Sequence, residues 1–183
     1  MRLQAPLRSR QQRQHGFTLV EIMVTIALLA IITSLAAPSW TQIRVRNALR
    51  AATNDFTSSL YLARAEAVRL NTRVTICPSD DGANCTNTAF TEGWIVKTGT
   101  SNNEVTQVIL QDMLPHGMVR MDATTAASRV FTFLPNGRPA GNFAGATVQV
   151  CPGNTEFDYL TRRLVINRPG RIRLESLDAC SLS

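Results

Sequence analysis

The run from Phe17 to Ala37 carries one formal charge, Glu21, among residues that are mostly Ile, Leu, Val, Ala, Met and Phe. No other stretch constrains the fold as strongly. At about 1.5 Å of rise per residue, a helix over this run reaches roughly 30 Å, the thickness of a bilayer's hydrocarbon core. Thr18, Thr25, Thr33 and Ser34 interrupt it, but hydroxyls on a helix can bond back to carbonyls of the preceding turn, so they are compatible with a span. Arg2, Arg8, Arg10 and Arg13 precede the run, which is the layout of a secretory signal peptide. Three features argue against that reading: the apolar run is long, no small-x-small site closes it, and an acidic residue lies near its start. A plain single-span anchor leaves Glu21 unexplained, because a carboxylate inside a bilayer costs about 2.5 to 3.5 kcal/mol.

Gly16-Phe17-Thr18-Leu19-Val20-Glu21 resembles the prepilin motif of the type IV pilin and pseudopilin superfamily. The resemblance implies that a prepilin peptidase cuts between Gly16 and Phe17 and that Phe17 becomes an N-methylated terminus. It also gives Glu21 a partner, the free α-amino group of a neighbouring subunit, which makes Glu21 an assembly residue. Pro38 matches the family proline that bends or locally melts the helix, by losing an amide hydrogen and clashing with the carbonyl four residues back. A proline there could also simply end a membrane helix. The expected organisation is a cleaved leader at 1–16, a transmembrane and assembly helix at 17–37, its amphipathic continuation at 38–70, and a β-rich periplasmic domain at 71–183.

The formal charge is +6. Removing the four leader arginines from nineteen basic residues leaves fifteen against thirteen acidic ones, or +2. Overall charge is then a weak argument for an anionic partner, and only local clustering can carry one. Cys77, Cys85, Cys151 and Cys180 contain no CxxC pair, which favours disulfides in an exported, oxidising location over a zinc site. Of the three possible pairings, Cys77 with Cys85 closes a loop of turn formers, Asp80, Asp81, Gly82 and Asn84. Cys151 with Cys180 then ties the last residues to a preceding strand. The leader arginines favour a cytoplasmic N-terminus, although Arg44, Arg46 and Arg50 on the far flank weaken that signal. The expected location is therefore the inner membrane, single-pass, with the C-terminal domain in the periplasm, and afterwards the pilus or pseudopilus.

Leu49, Ala52, Phe56, Leu60, Ala63, Ala67 and Leu70 recur in steps of three and four, one face of an amphipathic helix. One long helix is expected from Phe17 to about Leu70. Eight short β-rich runs follow: 72–77, 93–98, 105–111, 118–121, 130–134, 147–151, 162–167 and 171–174. Turn formers such as Asn136-Gly137 and Pro169-Gly170 separate them. The fold class is α+β, a long helix packed on an antiparallel sheet.

Within the superfamily the chain is most similar to the FimT and GspH group of minor pilins and pseudopilins. The resemblance rests on the prepilin motif, Ala63-Arg64-Ala65-Glu66-Ala67, Asn71-Thr72-Arg73-Val74-Thr75, Cys77-Pro78, Gly93-Trp94-Ile95-Val96 and Gly170-Arg171-Ile172-Arg173. His116, between Pro115 and Gly117, reads as a loop residue. No phosphate loop, HExxH, GxSxG or Cys-His signature is present. No catalytic residue, cofactor or metal is expected, and an enzyme is not.

From Arg162 to Arg173 there are five arginines and no acidic residue. Guanidinium groups take phosphate oxygens bidentately and need no base readout to hold a duplex backbone. A two-residue Pro169-Gly170 turn pairing Arg168 with Arg171 would put Arg168, Arg171 and Arg173 on one face. Pro-Gly fits such a tight hairpin poorly, so a wider loop is the other option. Charged edges that block edge-to-edge pairing are a structural reading of the same residues. The GRxR motif of FimT-type minor pilins implies DNA binding through Gly170, Arg171 and Arg173, with Arg168 added by proximity. The expected role is a minor pilin that binds double-stranded DNA without sequence preference during uptake. The alternative is a GspH-like minor pseudopilin of a type II secretion system with a structural role. Implied partners are other pilins or pseudopilins, the prepilin peptidase, the inner membrane and DNA.

Overall fold

The structure, a computed structural model, describes residues 16–99, 107–112, 117–125, 129–141 and 145–182, without the side chains of residues 35–39. His116 and residues 1–15 lie outside the described residues. Two compact units are present, Met1–Trp40 and Thr41–Ser183. A single helix, α1 (Leu19–Arg69), contributes to both.

Thr18 caps the start of α1. Its hydroxyl accepts the Glu21 backbone N–H at 3.2 Å and its carbonyl accepts that of Ile22 at 3.2 Å. Thr18 and Glu21 thus stand at the N-cap and third helical positions of a Thr-x-x-Glu capping pattern. Thr25 donates to the Ile22 carbonyl at 2.9 Å, Thr33 to Leu29 at 2.9 Å, and Ser34 to Ile31 at 2.8 Å. The hydroxyls of Thr25, Thr33 and Ser34 are therefore returned to backbone carbonyls as expected, whereas that of Thr18 serves as a cap. Leu19, Val20, Ile22, Met23, Val24, Ile26, Leu28, Leu29, Ile31 and Ile32 are all exposed, so over these turns apolar side chains surround the helix, with Glu21 the one charge among them, rather than forming one stripe. Among the described residues no helix is long and apolar enough to cross a membrane. Described side chains of the run stop at Ser34, short of the 17–37 stretch expected to span. The helical backbone continues through Pro38, so this proline does not end the helix.

In the second unit the predicted stripe is the buried one. Leu49, Ala52, Phe56, Leu60, Ala63 and Ala67 are almost completely buried, whereas Leu70 is 37% exposed. Leu70 escapes because the helix stops beneath it. Asn71 takes a left-handed φ of 50°, its N–H bonds the Val68 carbonyl, and the Thr72 N–H reaches back to Ala67. That pair of bonds is a Schellman ending with asparagine where glycine is commoner. Glu66 binds Arg69 at 2.6 Å on the last turn.

All eight expected strands form, as β1 (Val74–Pro78), β2 (Trp94–Thr98), β3 (Val108–Asp112), β4 (Val119–Ala123), β5 (Phe131–Phe133), β6 (Ala146–Pro152), β7 (Arg162–Ile166) and β8 (Ile172–Ser176). They divide into two antiparallel sheets, β3-β2-β1-β5 and β4-β6-β7-β8, rather than one. Phe56 of α1 meets Phe90 and Trp94 edge-on, with ring centroids 4.8 and 5.4 Å away. The indole N–H of Trp94 donates to the buried Ser59 hydroxyl at 2.9 Å, which fixes helix against sheet at one point. Alternating inward residues of β4, β6 and β7, among them Met121, Val148, Val150, Leu164 and Ile166, complete the core.

Two disulfides hold the periphery, Cys77–Cys85 and Cys151–Cys180, with Cα separations of 5.5 and 5.8 Å. This is the pairing expected from the loops they close. Inside the first loop the Asp81 carboxylate accepts the backbone N–H groups of Ala83 and Asn84, both at 2.8 Å, and the Ser79 hydroxyl. These bonds, Asn84 first, hold its pKa well below the usual carboxylate range.

Candidate nucleic-acid interface

The arginine-rich segment folds as the hairpin β7-β8 at the edge of the second sheet. Its pairing runs from Arg162↔Ser176 to Ile166↔Ile172, which leaves Asn167 to Arg171 as a five-residue loop. The turn is therefore the wider of the two expected forms, and Arg168 and Arg171 are not paired across a two-residue turn. The Gly170 N–H bonds the Asn167 carbonyl at 2.7 Å and the Asn167 N–H bonds that of Arg171 at 2.9 Å. Arg168 and Pro169 thus form the turn's centre. Gly170 follows with φ +78°, a conformation that favours glycine. It is buried, and a Cβ placed there would lie 3.5 Å from Pro139 and 3.6 Å from Phe133. The glycine of the motif therefore seats the loop against the other sheet.

The five arginines do not act as one cluster. Arg168 and Arg171 are exposed and make no side-chain hydrogen bond or ion pair among the described residues. Arg173, on β8, is instead ion-paired with Glu175. Arg163, directly opposite Glu175 in the register, closes on its other oxygen, with Nε at 3.0 Å. Arg163 first and Arg173 second hold the Glu175 carboxyl below its ordinary pKa. Arg162 points to the other face of the hairpin.

Sequence reasoning missed one member of this site, Glu175, and one exposed arginine, Arg138, that adjoins it in the chain through Pro139. Glu175 was readable, since period-two alternation puts it on the face of Arg173. Arg138 was not. It is exposed, its side chain has no partner among the described residues, and it directly precedes the Pro139 that packs on Gly170.

At the other end of the chain, the prokaryotic N-terminal methylation motif matches residues 11–37. The family of the Type II transport protein GspH matches residues 52–170, well over half of the sequence. The chain belongs to the GspH family. It is a type IV pilin-like protein of the minor pilin and pseudopilin kind, a membrane-anchored filament component of a structural family. The GspH match ends at Gly170 and so does not reach Arg171 or Arg173.

Solved structures agree on the fold. The type IV minor pilin FimU of Pseudomonas aeruginosa strain PAO1 superimposes with a TM-score of 0.58 at 22% identity, covering 74% of this chain and 96% of its own. A second crystal form of FimU gives 0.55 at 20%, covering 72% and 98%. The minor pseudopilin EpsH from the type II secretion system of Vibrio cholerae gives 0.50 at 13%, covering 72% and 98%. No curated protein matches.

Phe17, two residues before α1, is 77% exposed, and Glu21 in the first turn is exposed too. The Thr18 cap fixes the backbone at Glu21 and leaves its carboxylate no partner among the described residues.

Proposed function

We propose that this GspH-family chain is a minor pilin of the FimT type, assembling into a type IV pilus and holding extracellular DNA by its phosphate backbone. The observation that carries the DNA reading is the pair of exposed, unpartnered guanidiniums of Arg168 and Arg171 at a hairpin tip. Two planar cations on a short rigid loop suit adjacent phosphates, and backbone contacts need no sequence readout. Arg173 contributes as far as Glu175 releases it. Gly170 shapes the loop.

Upstream of the domain, prepilin peptidase cleaves between Gly16 and Phe17, and the new terminus is methylated. Residues 17–37 lie in the inner membrane, and residues 71–183 lie in the periplasm, where both disulfides persist. Apolar side chains on every side of the first helical turns support that burial. In the filament, the Glu21 carboxylate pairs with a neighbouring subunit's α-amino group, which removes the cost of an isolated charge in lipid. Pro38 relaxes the helix locally.

A second reading, a structural minor pseudopilin of a type II secretion system, is favoured by the neutralisation of Arg173 and Arg163 on Glu175. Fluorescence anisotropy of the full chain in uncharged detergent with unrelated duplexes separates the two. The DNA reading expects similar affinities for all duplexes and a loss of at least about tenfold in Arg168→Gln/Arg171→Gln. Equal binding by variant and parent, or none by either, leaves the structural role.

A further inference from the structure

A second group of arginines lies away from the hairpin tip, where α1 passes the beginning of β7. A hollow of about 210 Å³ opens there, walled by Arg46, Arg50, Tyr159, Thr161, Arg162 and Ser176. Arg46 and Arg50 are one helical turn apart and share a face of α1. Arg162 and Ser176 are direct cross-strand partners, so they share a face of the hairpin. That face is opposite to the one where Arg163 and Arg173 hold Glu175.

Two observations mark this hollow as a ligand site rather than a solvated patch. First, none of the three guanidiniums has a hydrogen bond or ion pair among the described residues, and no acidic residue lines the wall. Convergent like charges repel unless an anion joins them. Second, Thr161 is 1% exposed, yet its hydroxyl oxygen has no hydrogen-bond partner among the described residues, a state it shares with Asp158 Oδ1 three residues earlier. Buried hydroxyls are nearly always satisfied, and an orphan in a cavity wall is a donor awaiting an acceptor. The wall is also braced, because Gln42 donates to the Tyr159 hydroxyl at 2.7 Å.

We propose that this hollow binds a phosphate-type oxyanion, either free phosphate or the headgroup of an anionic phospholipid. Arg46, Arg50 and Arg162 supply charge-assisted bonds, and Thr161 supplies a neutral one that fixes the depth of the anion. The size suits a single phosphate group with its ester substituents left at the mouth. Arg46 follows Ala37 by only nine residues, which keeps a lipid source in reach if 17–37 is membrane-embedded. The site is independent of the hairpin tip and of any DNA bound there.

Calorimetric titration of the full chain in uncharged detergent with inorganic phosphate tests the site. Native mass spectrometry after incubation with phosphatidylglycerol tests the lipid source. One saturable site is expected, weakened at least about tenfold by Arg46→Gln/Arg162→Gln and several-fold by Thr161→Val, with Arg168→Gln/Arg171→Gln unchanged. Retention of phosphatidylglycerol by the parent but not by Arg46→Gln/Arg162→Gln assigns the headgroup. Phosphate binding without lipid retention assigns the free anion. Absence of both, or equal weakening by Arg168→Gln/Arg171→Gln, overturns the proposal. Thermal melts of each variant guard against unfolding, and Arg46 and Arg50 are surface residues whose loss the core does not register.

Discussion

Arg173 and Glu175 stand two residues apart on the same face of β8 and form an ion pair, with Arg163 of β7 bound to the same carboxylate. The segment that looks like an unopposed run of five arginines therefore contains two partly neutralised ones. Glu175→Gln should release Arg173 toward DNA. We expect duplex affinity to rise a few-fold and the slope of log K against log[salt] to steepen by about 1, one more phosphate neutralised. An unchanged slope would mean that Arg173 does not reach the backbone.

The same carboxylate sets a pH dependence. Hydrogen bonds from Arg163 and then Arg173 lower its pKa in the folded chain. A depressed carboxylate stabilises the fold fully above its unfolded value, and that contribution disappears as pH falls through the lower folded value. Circular-dichroism melts should show hairpin stability holding from pH 7 to pH 5 and falling only in more acidic buffer. Glu175→Gln should lose this acid-limb component.

Gly170→Ala tests the loop rather than the charge. The space around a Cβ is ordinary, but φ +78° is not. A cost of about 1 kcal/mol, or a few degrees in Tm, is expected for the left-handed strain. Duplex affinity should fall because Arg168 and Arg171 lose their setting, even though both guanidiniums remain.

Cys151→Ser/Cys180→Ser should destabilise the second unit by roughly 3.5 kcal/mol on the chain-entropy view of a loop this long. The Gln149 side chain bonds Ser181 through both its amide nitrogen and its oxygen, at 2.7 and 3.1 Å. Hydrogen exchange should therefore show faster exchange at Ser181 and along β6, with β1 and β2 unaffected.

The sequence made the fold legible where one period dominated. The three-four stripe from Leu49 to Ala67 is the buried face of α1, and the strand runs fell in place because turn formers bounded each. Leu70 broke the pattern because the helix ending at Asn71 depends on backbone bonds that periodicity does not record. The split into two sheets depends on which strands pair across long separations, such as β1 with β5, and local pattern carries no such information. At the candidate site, Gly170, Arg171 and Arg173 were readable as a motif. Glu175 was readable by alternation, while Arg138 entered only through the contact of Pro139 with Gly170, a contact between the two sheets.

The salt dependence of duplex binding by the full chain and by Arg168→Gln/Arg171→Gln tests the central claim most directly. The account predicts a parent slope that the double variant flattens by roughly 2, since each contacted phosphate releases about one counterion. Identical slopes in parent and variant would contradict it.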